Sequence, residues 1–135
     1  FENVQGSAFA DELYGSAGAN LLDGGAGADR LEGRGGDDIY IVDAMADVVV
    51  EAAGGGDDLV LALADYGLAE GVSVETLAAI APSATVAMDL AGNSFANTLV
   101  GTAGANGLDG GGGADQLYGL AGDDRYRVDN SADRV

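Results

Sequence analysis

Aspartate or asparagine recurs every nine residues along two stretches of this chain, at Asp11, Asn20, Asp29 and Asp38 and again at Asn97, Asn106, Asp115 and Asp124. Side-chain oxygens at so regular an interval could serve as paired acid and base, or as ligands of a cation. Their neighbours decide between the two. Each is the sixth residue of a block opened by glycine: Gly6, Gly15, Gly24, Gly33, Gly92, Gly101, Gly110 and Gly119. Further glycines hold place two (Gly25, Gly111) or place four (Gly18, Gly27, Gly36, Gly104, Gly113, Gly122). Glycine lets the backbone take positive φ and turn tightly, and successive tight turns point carbonyl oxygens inward. Carbonyls with carboxylates are what a hard cation of calcium's size takes, about six to eight oxygens at roughly 2.3 to 2.6 Å. Magnesium prefers a stiffer octahedron with retained waters, so Ca2+ is the expected ion. Asp37 and Asp123, in the fifth place of two "GDD" triplets, are either further ligands or solvated neighbours of the sixth-place residue.

These loops need elements to hold them. Places seven to nine alternate outward, inward, outward, which is a minimal strand. Leu13, Leu22, Leu31 and Tyr40, then Leu99, Leu108, Leu117 and Tyr126, occupy the inward place eight. A strand that short cannot bury its apolar residue alone, but parallel stacking builds a continuous core. The expected fold is all-β, a parallel β-solenoid. A longer period lies over the first: Gly6 answers to Gly92 and the "GDD" of Gly36 to that of Gly122, an offset of 86 residues that runs on to Asp47 and Asp133. The chain therefore reads as a fragment of a longer array. Residues 1–41 form a first nonapeptide roll, 42–91 a spacer, 92–127 a second roll, and 128–135 the start of a second spacer.

With these motifs the sequence resembles the secreted RTX (repeats-in-toxin) calcium-binding repeats, whose nonapeptide is G-G-x-G-x-D-x-U-x. The resemblance implies a parallel β-roll in which two nonapeptides make one turn and calcium ions lie in the turn loops, between repeats n and n+2. Carried over by position, it pairs Asp11 with Asp29, Asn20 with Asp38, Asn97 with Asp115 and Asn106 with Asp124. The asparagines offer a neutral carbonyl where the motif has a carboxylate, so weaker sites are expected in the second roll. Phe9 and Phe95 stand in place four, where glycine is expected; they imply strained or empty loops, or plugs for the core. The family also implies export through type I secretion machinery, with folding outside the cell.

The spacer loses the nonapeptide but keeps β-rich runs at Val48–Val50, Leu59–Leu61, Val72–Leu77 and Thr85–Leu90, separated by turn signals, and is expected to form wider solenoid rungs. The stretch "DYGLAEG" allows a short helical turn. About seven rungs at about 4.8 Å give a rod of roughly 35 Å. Asp43, Asp47, Asp129 and Asp133 are expected to cap spacer turns through side-chain to backbone bonds, and Asp23 and Asp109 to point outward.

Composition narrows the function. The 23 acidic residues stand against five basic ones, a net charge of −18. Self-repulsion of that size opposes a compact state; it disfavours nucleic acid or an anionic membrane as partner and favours cations. Histidine, cysteine and lysine are absent, which removes the usual bases and thiol or amine nucleophiles. The carboxylates could in principle serve a glycosidase, yet each is accounted for by a repeat position, so no enzyme is expected in this chain. An acidic, disordered linker would not keep an apolar residue every nine positions. No EF-hand loop or phosphate-binding loop is present. The expected role is a structural calcium-binding module of a secreted or cell-surface bacterial protein, an adhesin, surface layer or filament. The alternatives are the repeat region of a secreted enzyme whose catalytic domain lies elsewhere, and a polysaccharide- or ice-binding face. The outward pair Ile39 and Ile41 points to self-association of rods.

Overall fold

The computed structural model describes residues 2–135. Its strands are β1 (Glu2–Gln5), β2 (Glu12–Tyr14), β3 (Asn20–Asp23), β4 (Arg30–Glu32), β5 (Ile39–Val42), β6 (Val48–Val50) and β7 (Leu59–Ala62), then β8 (Tyr66–Gly67), β9 (Thr76–Ala79), β10 (Asp89–Ala91), β11 (Thr98–Val100), β12 (Gly107–Asp109), β13 (Gln116–Tyr118) and β14 (Arg125–Arg127). No helix occurs among the described residues. Every pairing is parallel, and each strand pairs with the strand two along the chain. Odd-numbered strands make one seven-stranded sheet; even-numbered strands make the opposite wall, as a three-stranded sheet (β2-β4-β6) and a four-stranded sheet (β8-β10-β12-β14). The chain is a β-solenoid of about seven turns.

Register follows the nonapeptide. Leu13 lies beside Leu31, Leu22 beside Tyr40, Leu99 beside Leu117 and Leu108 beside Tyr126, each 18 residues apart. These inward side chains are almost all buried, and each buried Leu contributes about 1.5–3 kcal/mol. Tyr126 is the exception at 39% exposure, because β14 has no strand beyond it. The place-one N–H continues the ladder into the loop: Gly6 donates to the Asp23 carbonyl at 2.7 Å and Gly15 to that of Glu32 at 2.8 Å.

The core does not stop at the spacer. Val49 stacks on Leu31, Val60 on Tyr40, Leu77 on Val60 and again on Leu99, and Leu90 on Tyr66 and Leu108. What changes is the turn length. The register steps by 20 residues from Ile39 to Leu59, by 17 from Leu59 to Thr76, by 22 from Thr76 to Thr98 and by 24 from Tyr66 to Leu90. The expected strands at 48–50 and 59–61 form, whereas those at 72–77 and 85–90 begin only at Thr76 and Asp89. Val72 and Val74 are buried all the same, in the turn that leads into β9. The "DYGLAEG" stretch is not helical: Tyr66 and Gly67 join the wall beside β10 because the buried Tyr66 ring continues the inward stack and its hydroxyl donates to the Asp47 carbonyl at 3.1 Å.

The 86-residue period is repeated in hydrogen bonds. Val48 N donates to Asp29 O at 2.7 Å and Arg134 N to Asp115 O at 2.9 Å, so the start of the second spacer docks as the first does.

A Leu31→Ala substitution removes a fully buried side chain from the middle of one wall. Equilibrium unfolding in saturating calcium is expected to show a loss of about 2–5 kcal/mol; a loss below about 1 kcal/mol would contradict a continuous inward stack.

Candidate metal centre

The loops joining the walls stack backbone on backbone, two repeats apart. A Cβ on Gly25 would overlap the Ser7 carbonyl, and one on Gly113 the Phe95 carbonyl. The sixth-place side chain ties each pair of loops together. Asp11 N donates to Asp29 Oδ1 at 2.9 Å, Asn20 N to Asp38 Oδ1 at 2.7 Å, Asn97 N to Asp115 Oδ1 at 2.8 Å and Asn106 N to Asp124 Oδ1 at 2.9 Å. The four pairs carried over by position are therefore the four pairs that the structure brings together. The ladder also extends past them: Asp29 N donates to Asp47 Oδ1, Asp38 N to Asp58 Oδ1, Asp58 N to Glu75 Oε2 and Asp115 N to Asp133 Oδ1, at 2.8–3.1 Å.

Two kinds of loop alternate with this ladder. In the blocks of Gly6, Gly15, Gly92 and Gly101 a polar residue stands in place two. Its N–H donates to the sixth-place side chain, as Ser7 N does to Asp11 Oδ2 at 2.6 Å and Thr102 N to Asn106 Oδ1 at 3.2 Å. Its own side-chain oxygen accepts the place-four N–H, in Phe9 and Phe95 at 3.3 and 3.0 Å. Such a loop closes on itself. That explains the phenylalanines: place four needs no positive φ there, and Phe9 and Phe95 point outward, 78% and 43% exposed. They neither plug the core nor strain the loop, contrary to expectation. Positive φ falls instead on Arg34 and Leu120, in place two of the other kind of loop.

That second kind belongs to the blocks of Gly24, Gly33, Gly110 and Gly119. Places two and four take φ of 80° and 147° at Gly25 and Gly27, and 75° and 115° at Gly111 and Gly113. With no short polar side chain in place two to close the loop, the second carboxylate oxygen of Asp29, Asp38 and Asp115 is left over. Asp29 Oδ2, Asp38 Oδ2 and Asp115 Oδ2 are buried and have no partner; the residues are at most 1% exposed. Place one of these blocks leaves no space for a side chain, because a Cβ on Gly24, Gly33, Gly110 or Gly119 would overlap the sixth-place carboxylate of its own block.

The charges respond accordingly. Asp11, held by the Ser7 N–H and hydroxyl, and Asp133, held by the N–H groups of Asp115 and Asn130, lie below the usual carboxylate range. Burial pushes Asp38 and Asp115 up, against one backbone hydrogen bond each, and like charges add to the rise. Asp58 is pushed up to about 7 by burial, with the charges of Glu51, Glu75 and Asp38 behind it. These are buried anions lacking a counter-charge. All five cationic side chains are arginines, and the ion pairs among the described residues join Arg30 and Arg34 to Glu32 and Arg127 to Asp109, at the surface. A hard cation fits this donor set, since buried carboxylate oxygens without partners are ligands of the kind it takes.

The asparagines behave differently. Asn106 Nδ2 lies 2.7–3.1 Å from the carbonyls of Thr102, Gly104 and Gly119 and from Asp124 Oδ1. An amide has two N–H groups for those four oxygens. Asn97 Nδ2 donates to Val74 O at 2.9 Å. At Asn106 the amide thus occupies part of the oxygen cluster of its pair with Asp124. Asp37 and Asp123 are exposed, and Asp37 Oδ1 accepts Asp57 N at 3.0 Å. Asp23 and Asp109 point outward as expected, each accepting the place-two N–H of the next loop at 3.1 Å. Asp47 and Asp133 cap the spacer turns, taking the N–H groups of Asp43 and Ala44, and of Asp129 and Asn130. Sequence reasoning missed Asp58 and Glu75 as rungs of the ladder. For Asp58 a signal was present, since "GGGDD" at 54–58 repeats the "GGDD" of 35–38.

The family model of the RTX calcium-binding nonapeptide repeat matches residues 5–40 and 91–126, in four copies, just over half of the chain. Comparison with curated proteins and with solved structures returned no match.

A carboxyl whose folded pKa is raised above its unfolded value stabilises the fold when protonated, and that stability is lost as pH rises through the folded value. For Asp58 the window runs from about 4 to about 7. The chelator-treated protein is therefore expected to show a weaker far-ultraviolet β signal at pH 8 than at pH 5.5. A metal-free β signal that strengthens over that interval would contradict the assignment of orphaned buried carboxylates.

Proposed function

The chain belongs to the RTX calcium-binding nonapeptide repeat family, and we propose on that basis that it is a calcium-stiffened structural module of a secreted or cell-surface bacterial protein, such as an adhesin, surface layer or filament. The observation that carries this reading is the set of buried, partnerless Oδ2 atoms on Asp29, Asp38 and Asp115, each at the sixth place of a glycine-rich loop. A bound divalent cation supplies the positive charge that these oxygens lack. Asp29, Asp38, Asp115 and Asp124 each supply the carboxylate of one such site, with loop carbonyls completing the set; Asp11, Asn20, Asn97 and Asn106 tie the facing loops to them.

The chain's own residues set the conditions under which it folds. The alternating loops closed by Ser7, Ser16, Asn93 and Thr102 are satisfied without an ion. The glycine loops bury carboxylates that repel one another, so metal-binding free energy becomes folding free energy. Extracellular calcium modules work at about 10⁻⁴ to 10⁻³ M, a range that leaves such sites unfilled in a calcium-poor cytosol. That suits passage of a loose chain through a type I exporter, followed by folding outside the cell.

The melting temperature is expected to rise with the logarithm of calcium concentration. In an Asp29→Asn, Asp115→Asn variant the same curve should shift to calcium concentrations at least about tenfold higher, the equivalent of about 1.4 kcal/mol. A melting temperature indifferent to calcium in the parent protein would sink the reading.

A further inference from the structure

The spacer segment Ala53-Gly54-Gly55-Gly56-Asp57-Asp58-Leu59-Val60-Leu61 lies outside the matched residues, yet it folds as the repeats do. Gly54 and Gly56 take φ of 81° and 156°, the signs seen at Gly25 and Gly27. Asp58 is buried in the sixth place and Val60 is fully buried in the eighth. The segment stacks on the loop of Asp38: Gly36 N donates to Gly55 O at 2.6 Å, and Asp38 N to Asp58 Oδ1 at 2.8 Å. It departs from the pattern at place one, with alanine for glycine, and at place eight, with valine for leucine or tyrosine.

Between these two loops lie three carboxylates. Asp38, Glu51 and Asp58 each offer an oxygen within 4.8 Å of the others, and they are 1%, 4% and 2% exposed. No other such trio occurs among the described residues. Asp38 Oδ2 and Asp58 Oδ2 have no hydrogen-bond partner, and none of the three residues joins an ion pair. Glu51 is positioned rather than free: its Oε1 accepts Ala52 N at 3.0 Å and its Oε2 accepts the Tyr40 hydroxyl. That hydroxyl is fixed in turn by the Gly33 N–H at 3.0 Å. Tyrosine in place eight, where most blocks carry leucine, is long enough to reach from the core to Glu51. Gly33 and Gly55 keep the space open, since a Cβ on the first would overlap Asp38 Oδ2 and on the second Glu51 Oε1. Three anions within 4.8 Å and out of water cannot all remain charged without a cation among them.

We infer that Asp38, Glu51 and Asp58 form a metal site for a hard divalent cation of calcium's class, completed by residues 53–61 acting as a ninth repeat. The inference rests on the calcium-binding reading of the repeat loops, and adds to it a ligand, Glu51, that no nonapeptide position supplies. Its consequence is that the column of sites on this side of the solenoid continues into the spacer. Tyr126, Asp124 and Gly119 recreate the first half of the arrangement 86 residues on, with Gly119 N donating to the Tyr126 hydroxyl at 3.2 Å.

The test is the number of calcium ions held by the chelator-stripped and reloaded protein, from equilibrium dialysis with elemental analysis. A Glu51→Gln, Asp58→Asn variant is expected to bind one ion fewer than the parent and to keep its far-ultraviolet circular dichroism. An unchanged number overturns the inference and leaves the reading of the repeat loops standing; a parent that binds no calcium overturns both. Should the variant fail to fold, crystals of the parent grown in calcium decide. An ion on Asp38, Glu51 and Asp58 together supports the site, and filled repeat loops with Glu51 and Asp58 free of metal overturn it.

Discussion

Asp29, Asp38 and Asp115, in the sixth place of the glycine loops, are buried with their two oxygens in different circumstances: Oδ1 takes a backbone N–H from the loop two repeats earlier, and Oδ2 takes nothing. The first bond aligns neighbouring turns. The second oxygen is the cost, because an uncompensated buried charge is worth several kcal/mol. With Asp58 there are four such oxygens, and a whole domain is stable by only about 5–15 kcal/mol. The inward stack of Leu, Val and Tyr has to carry that burden unless a cation carries it. Among the described residues no cation is placed to do so, since Arg30, Arg34 and Arg127 pair with Glu32 and Asp109 at the surface and Arg125 and Arg134 are exposed.

The two kinds of loop divide the work along the rod. Loops closed by Ser7, Ser16, Asn93 and Thr102 satisfy their own N–H groups and need only their side chains. Those built on Gly24, Gly33 and Gly110 exchange that self-sufficiency for a bare oxygen. Asparagine in the facing loop carries the principle further: the amide of Asn106 donates into the oxygens that converge at its pair. The second unit therefore leans more on neutral hydrogen bonds than the first, in which Asp11 faces Asp29.

Much of this was legible in the sequence where the period of nine held. Leucine or tyrosine every nine residues pointed to parallel stacking, and the resemblance to the RTX repeats that these blocks carry, rather than their spacing alone, paired the loops that the structure pairs. Legibility failed where turn length varied. Val49, Val60 and Leu77 do the work of place eight, and Asp47, Asp58 and Glu75 that of place six, but turns of 17 to 24 residues hide a common register from a search at fixed spacing. Phe9 and Phe95 misled for another reason. A glycine is required in place four only when place two lacks a capping side chain, and Ser7 and Asn93 provide that cap. The ligand Glu51 had no positional signal, since the Tyr40 hydroxyl sets its place.

Far-ultraviolet circular dichroism of the metal-stripped protein, titrated with calcium and in parallel with magnesium, is the most direct test of a fold completed by cations on buried carboxylates. The account predicts a weak β signal without metal and a cooperative gain as calcium approaches about 10⁻³ M, with little response to magnesium. A full β signal in the stripped protein, unchanged by calcium, would mean that the apolar stack alone carries the buried charge, and would contradict it.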